Sequence, residues 1–158
     1  MNQLLAHIGN LGIFKLPKVA FLSSRQISSE SVLKCMDWAT EQRDNGMCVI
    51  SGFHSPLEKD VLYFLLKGSQ PVILVLGRSL YKQIPEKFQK PLAEKRLLIV
   101  SPVAQTIQRH STQSILVRNR YIMDTANEIV FGSIDKNGSL YPLYKKASLE
   151  GKKVWKIS

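Results

Sequence analysis

Short, unbroken apolar runs that alternate with helix-patterned segments, with small or polar residues after nearly every run, predict a doubly wound α/β domain built on one mostly parallel sheet. Strands covered on both faces read as continuous apolar runs, and parallel neighbours need a crossover helix between them. The chain has 158 residues, 44% hydrophobic and 22% charged, which fits one core of ordinary size at about 100–200 residues per domain. A single domain spanning 1–158 is expected, with 1–18 as a lead-in segment.

Val19-Ala20-Phe21-Leu22, after Pro17 and before Ser23-Ser24-Arg25, has the length and boundaries of a buried strand. From about Ser29 to Asp44, Val32, Cys35, Met36 and Ala39 recur at helical spacing, with Ser28 or Ser29 as N-cap and Asn45-Gly46 as the stop. Met47-Cys48-Val49-Ile50 is the second run and halts at Ser51-Gly52. Pro56-Leu57-Glu58 then opens a helix carrying Val61, Leu62, Phe64, Leu65 and Leu66, which Gly68 closes. Pro71 to Leu76 is the most hydrophobic strand, ending at Gly77-Arg78-Ser79. A helix interrupted by Pro91 spans Pro85 to Glu94, and Leu97-Leu98-Ile99-Val100 makes the next strand. Ala104 to Ser114 is polar without clear periodicity. Ile115-Leu116-Val117 follows, and Arg118-Asn119-Arg120 leads into a helix through Asn127. Ile129-Val130-Phe131 is the fifth strand. Ser139 caps a helix to about Glu150, and Val154-Trp155-Lys156-Ile157 is a last strand. The pattern is Rossmann-like, with helices on both faces of the sheet.

Twenty-two Lys and Arg against twelve Asp and Glu give a formal charge of +10, a field that attracts polyanions. Cys35 and Cys48 form no C-x-x-C pair, and no side chains have metal-ligand spacing. A reducing cytoplasm is expected, with no metal and no cofactor. No apolar run approaches the roughly 20 residues that cross a bilayer, and neither a signal peptide nor a membrane span is expected.

Ligands of open parallel sheets bind outside the carboxyl ends of the strands. Here those loops hold Ser23, Ser24 and Arg25; Ser51, Gly52, Phe53 and His54; Gly77, Arg78 and Ser79; Ser101; and Gly132, Ser133, Gly138 and Ser139. Small residues let backbone N–H groups approach a phosphate, and arginine adds a forked donor of lasting charge. The same serines also suit helix capping. Neither G-x-G-x-x-G after the first strand nor G-x-x-x-x-G-K-[ST] occurs, which argues against a dinucleotide fold or a P-loop. His54 and Glu58 are the candidate chemical groups; a loop donor and a dipole-complementing helix start are their plainer roles. Tyr81, beyond Arg78 and among Lys82, Lys87 and Lys90, is a candidate for stacking on a base.

Four stretches resemble the DprA/Smf DNA-processing family. Val19-Ala20-Phe21-Leu22-Ser23-Ser24-Arg25, led by Gly9-Asn10-Leu11, is similar to that family's V-A-I-V-G-S-R and its G-N-L lead-in. Val49-Ile50-Ser51-Gly52 resembles the start of V-V-S-G-G-A-R-G-I-D, and Arg118-Asn119-Arg120 reproduces R-N-R. Asn137-Gly138-Ser139-Leu140 and Glu150-Gly151-Lys152-Lys153-Val154 resemble the S-G-S-L to G-R-x-V segment. The departures are Phe53-His54-Ser55-Pro56-Leu57-Glu58 in place of G-A-R-G-I-D, and Asp124-Thr125-Ala126 in place of G-L-S. With neither the family's N-terminal helical module nor its C-terminal winged helix, a short, diverged bacterial member is expected.

The resemblance implies single-stranded DNA binding in a homodimer, with a recombinase as a partner during transformation, DNA uptake or recombination. Carried over by position, it implies phosphate contacts at Arg25, Ser51, Gly52, Arg118, Asn119, Arg120, Gly138 and Ser139. The loop inventory adds Ser24 and Arg78. No catalytic residue is expected. The rival expectation is a nucleotide-derived ligand module or nucleotide N-glycosyl hydrolase in the same crevice, using His54 and Glu58.

Overall fold

The computed structural model describes residues 5–25 and 28–157. Its parallel strands are the apolar runs: β2 (Lys18–Leu22), β3 (Cys48–Ser51), β4 (Val72–Val75), β5 (Leu97–Ser101), β6 (Glu128–Phe131) and β7 (Val154–Lys156). Almost every residue of β2 to β5 is buried, as two covered faces require. A seventh strand, β1 (Ala6–Gly9), runs antiparallel to β5 at the sheet edge. The seven lie in the order β1-β5-β4-β3-β2-β6-β7.

The lead-in is therefore corrected: residues 6–9 are a strand and Leu11–Lys15 a 3-10 helix. An edge strand covered on one side needs no continuous apolar run, so His7 and Gly9 concealed it. Gly9-Asn10-Leu11 is the corner that joins it to the sheet. Gly9 has φ +103, where a Cβ would run into the Leu97 carbonyl, and the Asn10 side chain donates to the Lys95 carbonyl (2.8 Å) while accepting from the Gly12 N–H (3.0 Å).

Helices α1 (Ser29–Asp44), α2 (Pro56–Leu66) and α3 (Glu86–Ala93) cover one face, through Cys35, Ala39, Leu57, Val61, Leu65 and Phe88. The other face carries the 3-10 helix, α4 (Thr112–Thr125) and α5 (Leu140–Leu149), through Ile13, Ile122, Met123, Leu140 and Leu143. Both cysteines are free and buried, and burial pushes the Cys35 thiol up to about 11. Among the described residues, no helix is long and apolar enough to cross a membrane.

Two boundaries bear on function. The polar stretch before Arg118 belongs partly to α4, because Ser111 and Ser114 form a reciprocal capping box. Arg118-Asn119-Arg120 therefore lies within the helix and not at its start. From β2 the chain builds the sheet one way through β3, β4 and β5, then returns to place β6 on the opposite side of β2. The topological switch point thus falls at the carboxyl ends of β2 and β6, where doubly wound sheets open a crevice.

Candidate nucleic-acid interface

The crevice at the switch point has a volume of about 330 Å³. Its walls come from the loop after β2 (Ser24, Arg25), the loop after β3 with the start of α2 (His54, Ser55, Glu58), the middle of α4 (Arg118, Asn119) and the approach to α5 (Gly138, Ser139).

Glu58 ties the first two walls together. It sits at N3 of α2, opposite the N-cap Ser55, and its Oε1 accepts from the His54 and Ser55 N–H groups (2.9 and 3.2 Å). Its Oε2 accepts from the Ser23 N–H (2.9 Å). Only 3% of the residue is exposed. Burial pushes its carboxyl above the ordinary carboxylate range, opposed by the three backbone hydrogen bonds and the Arg118 charge. Ser24 fixes the β2 loop to the β6 loop: its N–H donates to the Ser133 carbonyl (2.8 Å), and its Oγ accepts from the Asp135 N–H (2.9 Å).

Arg118 is 4% exposed and lines the crevice. Its Nε donates to Asn119 Oδ1 (3.3 Å), while Nη1 is buried without a hydrogen-bond partner. It forms no ion pair among the described residues. Burial lowers its pKa and the more distant Glu58 charge raises it, but a guanidinium stays charged at neutral pH. Desolvating a cation with no carboxylate in ion-pair contact is costly. An anion in the crevice would supply that contact. Gly52 makes room for this side chain, since a Cβ there would lie 2.6 Å from Arg118 Nε.

His54 and His110 lie ring to ring, with centroids 4.6 Å apart. Burial, then the charges of Arg118, Lys59 and Arg25, holds His54 below the ordinary imidazole value. Burial, then His54, Arg118 and Arg78, brings His110 down to about 4. Opposing this concentration of cations, Asp135 lines the same crevice, and its Oδ1 is engaged by the Asn137 N–H (3.0 Å).

Of the residues picked from sequence, Ser24, Arg25, Arg118, Asn119, Gly138 and Ser139 meet in the crevice, together with His54 and Glu58. The others stand elsewhere. Successive helix residues point about 100° apart, so with Arg118 and Asn119 turned inward, Arg120 is exposed and faces a small cleft with Lys146 and Lys152. Arg78 lies on the neighbouring loop after β4, its guanidinium 5.6 Å from the centre of the Tyr81 ring. Ser51 is fully buried, its Oγ accepting from the Phe53 N–H (3.1 Å). Ser139 holds the N-cap position of α5 but makes no side-chain capping bond. Ser55 and His110 were not singled out from sequence; Ser55 carries the capping-box signal, and His110 carries no local signal at all. Among the described residues, no three His, Cys, Asp or Glu side chains cluster as metal ligands would.

Comparison with known proteins gives a concordant picture. A search of the curated proteins returns no significant match. Among solved structures, DNA processing protein A from Helicobacter pylori, described as binding single-stranded DNA, superposes with a TM-score of 0.75 at 20% identity, over 95% of this chain and 69% of that one. The DprA of Streptococcus pneumoniae gives 0.74 at 22% identity, over 95% and 53%; the chain thus spans about half the length of that relative. The molybdenum cofactor carrier protein of Chlamydomonas reinhardtii gives 0.58 at 10% identity, over 89% and 75%. At such identities these likenesses show the fold alone. The family is set by the sequence model for DNA recombination-mediator protein A, which matches residues 2–157. With a match that runs nearly end to end, the chain belongs to the DNA recombination-mediator protein A family.

Proposed function

We propose that the chain binds single-stranded DNA at the switch-point crevice, without covalent chemistry, as a recombination mediator. The observation that carries this reading is Arg118, a buried guanidinium on the crevice wall with Nη1 unpartnered and no carboxylate paired to it. A phosphate would complete it, with Arg25 and the start of α5 at Ser139 and Leu140 lining the same crevice. The net charge of +10 supplies the long-range attraction. A second copy of the chain and a recombinase are the protein partners this reading expects.

Fluorescence anisotropy with a labelled single strand of about 30 bases, at about 50 and 200 mM salt, tests the proposal. Binding is expected to weaken steeply with salt, to withstand competition from mononucleotides and to exceed binding of duplex. No binding at the lower salt, or saturation by a mononucleotide alone, overturns it.

The crevice also predicts a pH dependence. A phosphate beside His54 favours its protonated form, so the bound pKa exceeds the free one and binding takes up a proton. Affinity is therefore expected to rise as pH falls through the bound-state pKa of His54 and to level off below its free-protein pKa, which burial holds under the ordinary imidazole value. The same titration with His54→Gln should lose that rise; a rise that persists in the variant assigns the proton elsewhere.

A further inference from the structure

The crevice is suited to an anion yet keeps a carboxylate of its own. Of the two acidic residues that line it, Glu58 is 3% exposed and has both oxygens accepting from backbone N–H groups. Asp135 is only half-buried and takes part in no ion pair among the described residues, although Arg25 lines the same crevice.

Hydrogen bonds fix Asp135 in place. Its N–H donates to Ser24 Oγ (2.9 Å), its carbonyl accepts from the Gly138 N–H (2.9 Å), and its Oδ1 accepts from the Asn137 N–H (3.0 Å). The turn therefore holds a negative charge between the β2 loop and the start of α5, two of the crevice walls. None of these bonds needs that charge, since asparagine offers the same acceptor at the same reach. Beside Arg25 and Arg118, a fixed carboxylate lowers affinity for any anion, and does so in proportion to the charge the anion carries. A penalty that grows with ligand charge selects among ligands, as an unpaired charge facing the wrong partner does elsewhere.

We propose that Asp135 sets the charge class of the ligand, fitting the crevice to the singly charged diester inside a strand and disfavouring terminal phosphates and free nucleotides. A phosphate monoester carries about −1.5 to −2 at neutral pH, and a triphosphate carries more. The inference rests on the DNA reading of the crevice and names the residue that keeps mononucleotides from competing with a strand. A space of 330 Å³ is about 8 Å across, and over that span a unit charge in water changes affinity by about twofold for each charge on the ligand.

The test displaces a labelled single strand of about 30 bases from the intact protein at about 50 mM salt, without divalent cations. The competitors share one base and differ in charge: thymidylyl-thymidine, thymidine 5′-monophosphate and thymidine 5′-triphosphate. Asp135→Asn is expected to tighten the dinucleotide by about twofold, the monophosphate by about fourfold and the triphosphate by more. Asp44→Asn removes the same charge at the end of α1, next to the amino end of β3 and away from the crevice, and should leave the ratios among the three unchanged. Equal gains for all three in Asp135→Asn, the same graded gains in Asp44→Asn, or a triphosphate that still fails to compete in Asp135→Asn overturns the inference and leaves the strand site standing. A wild type that does not bind the labelled strand overturns the DNA reading itself. Should Asp135→Asn not fold, Asp135→Ser, whose hydroxyl can also accept from the Asn137 N–H, decides by the same comparison.

Discussion

Arg118→Ala is expected to weaken single-stranded DNA binding on the order of a hundredfold while leaving the melting temperature unchanged or slightly raised. The two effects separate because the free protein gains little from this side chain. One hydrogen bond to Asn119 and a buried Nη1 without a partner leave most of its desolvation uncompensated. With a phosphate present, the same guanidinium makes charge-assisted hydrogen bonds worth about 1.5–3 kcal/mol each. The loss should be similar for all sequences, and the slope of log affinity against log salt should fall by about 0.7, the value of one single-strand phosphate contact. Anisotropy at several salt concentrations and a thermal melt on the same preparation check both halves. Unchanged affinity removes Arg118 from the site, and a large drop in melting temperature makes it a structural strut.

Glu58→Ala is expected to act in the opposite order, on stability first. The substitution strips the acceptor from the Ser23, His54 and Ser55 N–H groups. At about 1–3 kcal/mol for each buried donor left unsatisfied, partial relaxation still leaves a cost of roughly 3 kcal/mol. For a chain of this size that corresponds to a fall in melting temperature of about 10 °C. DNA affinity should drop as well, since the two loops that carry Arg25 and His54 lose their common tie. The competing expectation, a nucleotide hydrolase with Glu58 as its chemical group, makes a different demand: wild type must release free base from a nucleotide, and Glu58→Gln must abolish that release. With both oxygens accepting from the backbone, Glu58 is placed as the brace of the crevice. Absence of base release by wild type ends the hydrolase reading.

The parallel strands were legible because burial on both faces leaves unbroken apolar runs, and Val19 to Leu22, Val72 to Val75 and Leu97 to Val100 need no context to be recognised. β1 was not, because half-cover at a sheet edge imposes no such pattern. Arg118 stood out through its motif, yet its value to the site depends on helical phase. A capping box at Ser111 begins α4 earlier than the polar sequence suggests, and that phase buries Arg118 and Asn119 and turns Arg120 to solvent. Glu58 illustrates the same limit. A helix-start glutamate announces a capping box, while its second oxygen's bond to Ser23, 35 residues away, is a tertiary contact. The pairing of His54 with His110 likewise exists only after β4 and α4 have taken their places.

The switch point makes the crevice a late arrival in folding. Its walls come from residues 23–25, 54–58, 115–119 and 135–140, and the last of them is delivered when β6 docks beside β2, pairing Leu22 with Phe131. Contacts of such sequence separation form slowly, because long loops must close first. A chain emerging from the ribosome already carries Arg118 before β6 exists, and at that stage has no crevice to place it in. On the DNA-binding proposal, affinity is expected only with the finished sheet, and a strand held there should stabilise the native state by mass action, since the unfolded chain offers it no equivalent site.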